Sequence, residues 1–153
     1  MLWLERRAWW LLLTLTALIA VIGLWAFAIG IKEDASVPLG FTGLTAAQLE
    51  AASPEGYRLI DFHARFGGLS LTMIGTVLSF VVLGGFRHGQ LWAWWAMWTL
   101  PAWAAVTFAL TLAIGVAPGQ APPTPMISGP VIGILSAVLL LGSARRFFGR
   151  RPA

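Results

Sequence analysis

Cysteine is absent from this sequence, which removes thiol–disulfide chemistry, thiolate metal sites and any disulfide framework, whatever the compartment. Quinone-linked thiol oxidoreductases go with them. Charge is scarce. Asp, Glu, Lys and Arg make up 10% of the 153 residues, and none falls inside the four long apolar stretches at about 9–31, 66–86, 91–116 and 126–143. A charge in hydrocarbon costs about 2.5 kcal/mol or more and typically marks an ion pathway or proton relay, so this absence argues against a proton- or cation-coupled transporter. Histidine occurs twice, at His63 and His88. On one helix the two stand roughly 37 Å apart at 1.5 Å per residue, too far to clasp a haem within one chain. The sequence also lacks a P-loop, a zinc-protease motif, a Gly-x-Ser-x-Gly elbow and a protected carboxylate pair. The expectation is a protein with no catalytic residues, no metal and no cofactor.

What is present is oil. The chain is 58% hydrophobic with a mean hydropathy of +0.80, far outside the balance of a soluble domain. A bilayer core about 30 Å thick needs roughly 20 apolar residues per helical span, so the four stretches consume over half the chain and leave no room for a separate soluble domain. The fold class expected is all-α: a polytopic, four-transmembrane-helix bundle forming one membrane domain over 1–153, with a short interfacial helix on its outer side. The net charge of +4 raises nucleic acid as a partner. The ten Lys and Arg sit mostly beside the spans, however, and read instead as topology signals; no nucleic acid is expected.

Span one, preceded by Glu5-Arg6-Arg7 and followed by Lys32-Glu33-Asp34, looks like a signal anchor. Ala26-Phe27-Ala28 resembles a cleavage site, but the apolar stretch before it exceeds a secretory h-region. Arg6, Arg7, Arg87, Arg145, Arg146, Arg150 and Arg151 fall on one side of the spans, and only Lys32, Arg58 and Arg65 on the other. Seven against three predicts cytoplasmic N- and C-termini. Trp9, Trp10, Trp92, Trp94 and Trp95 lie at cytoplasmic span ends and Trp25 near an outer one, as interfacial belts do.

Residues 32–65 form the one sizeable outer segment. Thr45-Ala46-Ala47-Gln48 has capping-box spacing and predicts a helix over about 46–52; Leu44 and Leu49, with Phe41 just before, give this segment an apolar side available to the membrane surface or the bundle mouth. Ser53-Pro54 reads as an N-cap and first helical position, so the second long helix is expected to start near Pro54 and project about three turns beyond the hydrocarbon. At 100° per residue, Arg58, Asp61, Arg65, Gly68, Thr72, Gly75, Thr76 and Ser79 share about a third of its circumference. The lower, small and hydroxylated part of this stripe suits close helix packing. Its upper part pairs Asp61 with Arg65 at i, i+4. One reading makes these charges caps at headgroup level, contacting lipid phosphate. The sharper one is an anion or headgroup site, with Arg58 and Arg65 as contacts, Asp61 orienting them, and Tyr57 or His63 nearby, although His63 falls on the opposite helix face.

In span three, Pro101 should kink the helix, and Trp92, Trp94, Trp95 and Trp98 wrap its inner half, which a membrane boundary explains without a pigment or quinone. Ala105, Ala109 and Ala113 form a small-residue stripe, as do Gly129, Gly133 and Ala137 in span four, where Pro130 lies in the first turns. Both stripes read as helix contacts, within the bundle or in a homodimer.

Gly43-Leu44-Thr45, Phe66-Gly67-Gly68, Phe86-Arg87-His88-Gly89 and Trp92-Ala93-Trp94-Trp95 together resemble a group of uncharacterised four-helix bacterial integral membrane proteins, over about residues 40–115. The resemblance implies the four-span architecture in a bacterial inner membrane, and no activity. The functional expectation is therefore a non-catalytic accessory or lipid-interacting component, with membrane lipids as its partners. Three rivals stand beside it: a small-molecule or headgroup binder or carrier, with the outer Arg/Asp cluster over a cavity between spans two and three; a subunit of a larger membrane complex; and a headgroup enzyme with Asp61 or His63 as base, disfavoured because those groups do not share a face.

Overall fold

The structure is a computed structural model that describes residues 2–149; Arg150 and Arg151, counted above among the cytoplasmic cations, lie outside the described residues. Seven helices follow in order: α1 (Leu2–Ile29), α2 (Ser36–Thr42), α3 (Ala46–Ala52), α4 (Pro54–Gly84), α5 (Leu91–Met97), α6 (Thr99–Ile114) and α7 (Thr124–Phe148), with 3-10 turns at Gly30–Lys32 and Phe86–His88. No strand occurs among the described residues. Four stretches, Glu5–Lys32, Pro54–His88, Leu91–Ile114 and Thr124–Phe148, are helical, long and apolar enough to cross a membrane.

These helices overrun the apolar stretches. α1 begins at Leu2 rather than near Trp9, so Glu5, Arg6 and Arg7 are helical, and it closes at Ile29 rather than Ile31. α7 carries Arg145 and Arg146 in its last turn, where cations offset the partial negative charge of unpaired carbonyls. The third apolar helix is two pieces. Pro101 has no N–H to give the Met97 carbonyl and its ring crowds that turn, so the chain tightens at Trp98, whose N–H bonds Trp95 O at 3.1 Å, and resumes as α6.

α4 packs along α1, α1 against α7, and α7 against α6, with α5 wedged between α4 and α7. Between α4 and α6 the ring stays open, leaving an apolar cleft of about 390 Å³ lined by Met73, Ile74, Val77, Leu78, Thr99 and Trp103. The densest core lies toward the end that carries both termini, where Leu12, Val82, Phe86, Ala93, Met97, Leu100 and Leu140 are buried. There the Trp94 indole N–H reaches Leu140 O at 3.0 Å. Outward, every long helix presents bulk carbon: Val21 is 64% exposed, Phe80 69%, Val106 69% and Ile134 66%.

The α1–α4 seam is the closest approach in the molecule's long helices. A Cβ built on Gly23 would stand 2.5 Å from the Thr72 backbone nitrogen and 2.7 Å from Gly68 O, and one on Gly68 would collide with the Phe27 backbone nitrogen. The two backbones are therefore in direct contact, which residues without bulky side chains permit. Lower in the seam, buried Thr16 and Ser79 share a 2.9 Å hydroxyl bond and Ser79 donates to Gly75 O at 2.8 Å. Gly68, Thr72, Gly75 and Ser79 thus lie in the expected contact, whereas Thr76, at the edge of the stripe, is exposed. On the other side of the bundle, Gly133 and Gly129 face Ala104 and Phe108 of α6, and Ala137 lines the same shallow groove. The α6 residues buried in the bundle are Leu100, Pro101, Ala104 and Thr111. Ala105, Ala109 and Ala113 are exposed, which corrects their expected role within the bundle: Ala104 takes the place facing Gly133, and Ala109 and Ala113 point outward.

Gly68→Val should lower stability in detergent by about 3 kcal/mol through overpacking, read as a drop in the thermal unfolding midpoint. Gly67→Ala, which meets nothing within 4 Å, should leave it unchanged or raise it by up to about 1 kcal/mol through helix propensity.

Candidate functional site

The cluster at the end opposite the termini is built from the start of α4 and the end of α1. Thr45 accepts from the Gln48 N–H at 3.3 Å while the Gln48 side chain accepts from the Thr45 N–H at 2.9 Å, so the capping box opens α3 at Ala46 as expected. Ser53 accepts from the Gly56 N–H at 3.2 Å and Pro54 opens α4. Leu49 is buried, which seats α3 on the bundle, where it packs against α4.

α4 thereby lifts Asp61 and Arg65 to the level where α1 ends. Arg65 Nε donates to Asp61 Oδ2 at 2.8 Å. Its Nη1 donates to Phe27 O at 3.0 Å and Ala28 O at 2.7 Å, and its Nη2 to Ile29 O at 3.3 Å. One guanidinium therefore serves three of the carbonyls that a helix end leaves without partners, and its charge meets the negative pole of α1. The other carboxylate oxygen, Oδ1, accepts from the Ile31 N–H at 2.9 Å. The turn between them requires Gly30: its φ is +73°, and a Cβ there would overlap Asp61 Oδ1. The arrangement is a clamp, an ion pair on one helix gripping the frayed end of the next. The hydrogen bond from Arg65 holds the Asp61 carboxyl below its ordinary value, helped by the Ile31 N–H and the Arg65 and Lys32 charges and opposed by partial burial. Nearby, partial burial and the Asp34 charge push Glu33 the other way, upward.

A second lacing ties this end together. Asp34 Oδ1 accepts from Ser36 N at 2.9 Å and from Ser36 Oγ at 2.6 Å, Ser36 Oγ accepts from Thr124 N at 2.9 Å, and Gly40 O accepts from Ala117 N at 2.8 Å. These join α2 to the Pro-rich connection, whose Pro123 is buried. α2 forms although it contains Pro38 and Gly40; Pro38 is tolerated because it falls in the first turn.

Of the residues singled out for a ligand, Asp61 and Arg65 come together and are engaged by protein groups. Arg58 is exposed one turn beyond them, and Tyr57 is half-buried. His63 is exposed on the other face, its ring 5.7 Å from that of Phe62. The cleft between α4 and α6 does not lie beneath the cluster, since Met73, Ile74, Val77 and Leu78 occupy the opposite side of α4 at 100° per residue. Missed from the sequence were Gly30 and the three carbonyls; the signal was Ile29-Gly30, a glycine just past a helix end. Among the described residues no group of three or more His, Cys, Asp and Glu side chains is placed to hold a metal ion. Comparison with protein-family models, curated proteins and solved structures found no match to this chain.

Arg65→Gln strips the α1 carbonyls and should cost about 1–3 kcal/mol. The sign for pH follows from the lowered Asp61 value: its stabilisation is fully present above the ordinary value of 3.8 and is lost as pH falls through the lower folded value. Acid unfolding of the purified protein should therefore show a limb below about pH 4 that Asp61→Asn flattens.

Proposed function

We propose that this chain is a multi-pass protein of a bacterial inner membrane, with both termini cytoplasmic, acting without catalysis as an accessory component in contact with lipid. The observation that carries the reading is the outward face of the four long helices. Val21, Phe80, Val106 and Ile134 are each more than 60% exposed, and only an apolar solvent accepts such a girdle around four spans. The orientation rests on Arg6, Arg7, Arg87, Arg145 and Arg146 gathered at the end that carries the termini. Asp61 and Arg65, fully used in closing α1, supply fold maintenance at the outer interface; the ligand reading of Arg58, Asp61, Arg65, Tyr57 and His63 is the weaker alternative because the geometry gives two of them a structural task.

A second reading, a subunit of a larger membrane assembly or a homodimer, draws support from Ala105, Ala109 and Ala113, a small-residue face on α6 that the bundle leaves exposed. Native gels of protein extracted in its own lipids separate the two: a single band at protomer mass favours the accessory reading, and a discrete larger species favours assembly.

The absence of native cysteine makes topology direct to test. A single cysteine at Ala35 should react with an impermeant maleimide in intact spheroplasts, and one at His88 should react only after lysis. Labelling of His88→Cys in intact cells, or of neither site in either condition, contradicts the proposed orientation.

A further inference from the structure

At the end that carries the termini, cations from two helices line one hollow, with a third cation beside it. Arg6 from α1, Arg146 from the last turn of α7, Glu5 and Trp9 line a space of about 390 Å³. Arg87, from the turn after α4, lays its guanidinium over the Trp9 ring at 4.9 Å, and an Arg146 Nη2 hydrogen bond to the Arg87 carbonyl ties the two elements together. Glu5, the one carboxylate in the wall, is not in ion-pair contact with them: among the described residues the ion pair formed is Asp61–Arg65, at the other end of the molecule. Arg6 and Arg146 are exposed, as are Trp3 and Trp10 close by in sequence. The site is thus a cationic hollow with an indole wall at the boundary between an apolar helix surface and water.

We infer that this hollow binds the phosphate of an anionic membrane lipid, with Arg6 and Arg146 as its ligands, Trp9 as its wall, Arg87 stacked on that ring from outside, and the acyl chains lying on the exposed apolar side of α1. Guanidinium pairs hydrogen-bond phosphate oxygens in a fork that lysine does not reproduce. Basic pockets between helices on the cytoplasmic side are where such headgroups are held. Trp9 supplies an amphipathic ring at headgroup depth, and Trp10, Val21 and Leu24 of α1, within about 60° of Arg6 at 100° per residue, are exposed for chain contact. Glu5 sets the selectivity, since it repels a second negative charge and opposes a doubly charged phosphate monoester more than a singly charged diester. The inference rests on the membrane reading above and adds to it a site, a lipid class and residues.

The test uses the full chain in mild detergent, with native mass spectrometry counting retained lipid after addition of phosphatidylglycerol or phosphatidylcholine. One phosphatidylglycerol should be held above the background seen with phosphatidylcholine. Arg6→Gln combined with Arg146→Gln should weaken it about 30-fold, from roughly one surface-cation contribution at each arginine, whereas Arg7→Gln should not change it. Glu5→Gln should tighten retention, a gain that misfolding does not produce. Glycerol phosphate at millimolar concentration should fail to displace the lipid; displacement would assign the hollow to a water-soluble phosphate ester instead. Equal retention of both lipids, insensitive to Arg6 and Arg146, overturns the site while leaving a lipid-contacting protein. A chain that stays monodisperse in buffer without detergent and retains neither lipid overturns the membrane reading as well.

Discussion

Everything in this molecule is arranged around the line along which α1 and α4 touch. Backbones that meet at Gly23 and Gly68 leave no space for a methyl group, and that contact fixes where each helix stands against the other. With α1 held on α4, the hydroxyls of Thr16 and Ser79 fall within 2.9 Å, Arg65 arrives at the last carbonyls of α1, and the Ile31 amide meets Asp61. Displaced by one turn, about 5.4 Å along the axis, none of these partners is in reach. The seam and the clamp are therefore one device. Close packing supplies the registration, and the ion pair supplies partners for the carbonyls of the open helix end.

The two ends of the bundle solve different problems. At the end opposite the termini, three charges are tied into the backbone, since Arg65, Asp61 and Asp34 all engage backbone groups, and α2, α3 and the Pro-rich connection lace over the helix ends. At the end with the termini the packing is aromatic, with Phe86 against Phe147 at 4.8 Å and Trp94 edge-on to Phe148 at 5.0 Å, and the arginines are left facing outward. Arg6, Arg7, Arg87, Arg145 and Arg146 are all exposed at this end, and on the proposed orientation they face the cytoplasmic leaflet, where anionic headgroups attract such cations.

Much of this was legible in the residues. Ser53-Pro54 and Thr45-x-x-Gln48 announced two helix starts because capping is local chemistry that needs no tertiary information. The Gly68, Thr72, Gly75 and Ser79 stripe announced a contact because small residues at i, i+4 spacing have few other uses in an apolar helix. What stayed hidden depended on a partner. α1 is so uniformly apolar that its contact residues, Thr16, Ala20 and Gly23, do not stand out from the rest. Asp61–Arg65 was visible as a pair, but its acceptors are carbonyl groups, which every residue carries and no sequence distinguishes. On α6 the alanines at 105, 109 and 113 and the one at 104 are chemically alike, and only the path of α7 decides which is buried.

Because the chain has no cysteine of its own, the α1–α4 contact is open to a direct chemical measurement in native membranes. Cysteines replacing Thr16 and Ser79, whose oxygens stand 2.9 Å apart, should form a disulfide on mild oxidation, since bridging demands Cα atoms within about 7 Å; the pair replacing Thr14, which is exposed, and Ser79 should not. Rapid bridging of the first pair alone is the predicted result. Failure of that pair to bridge in well-folded protein, or equal bridging of both, would contradict the seam on which the account stands.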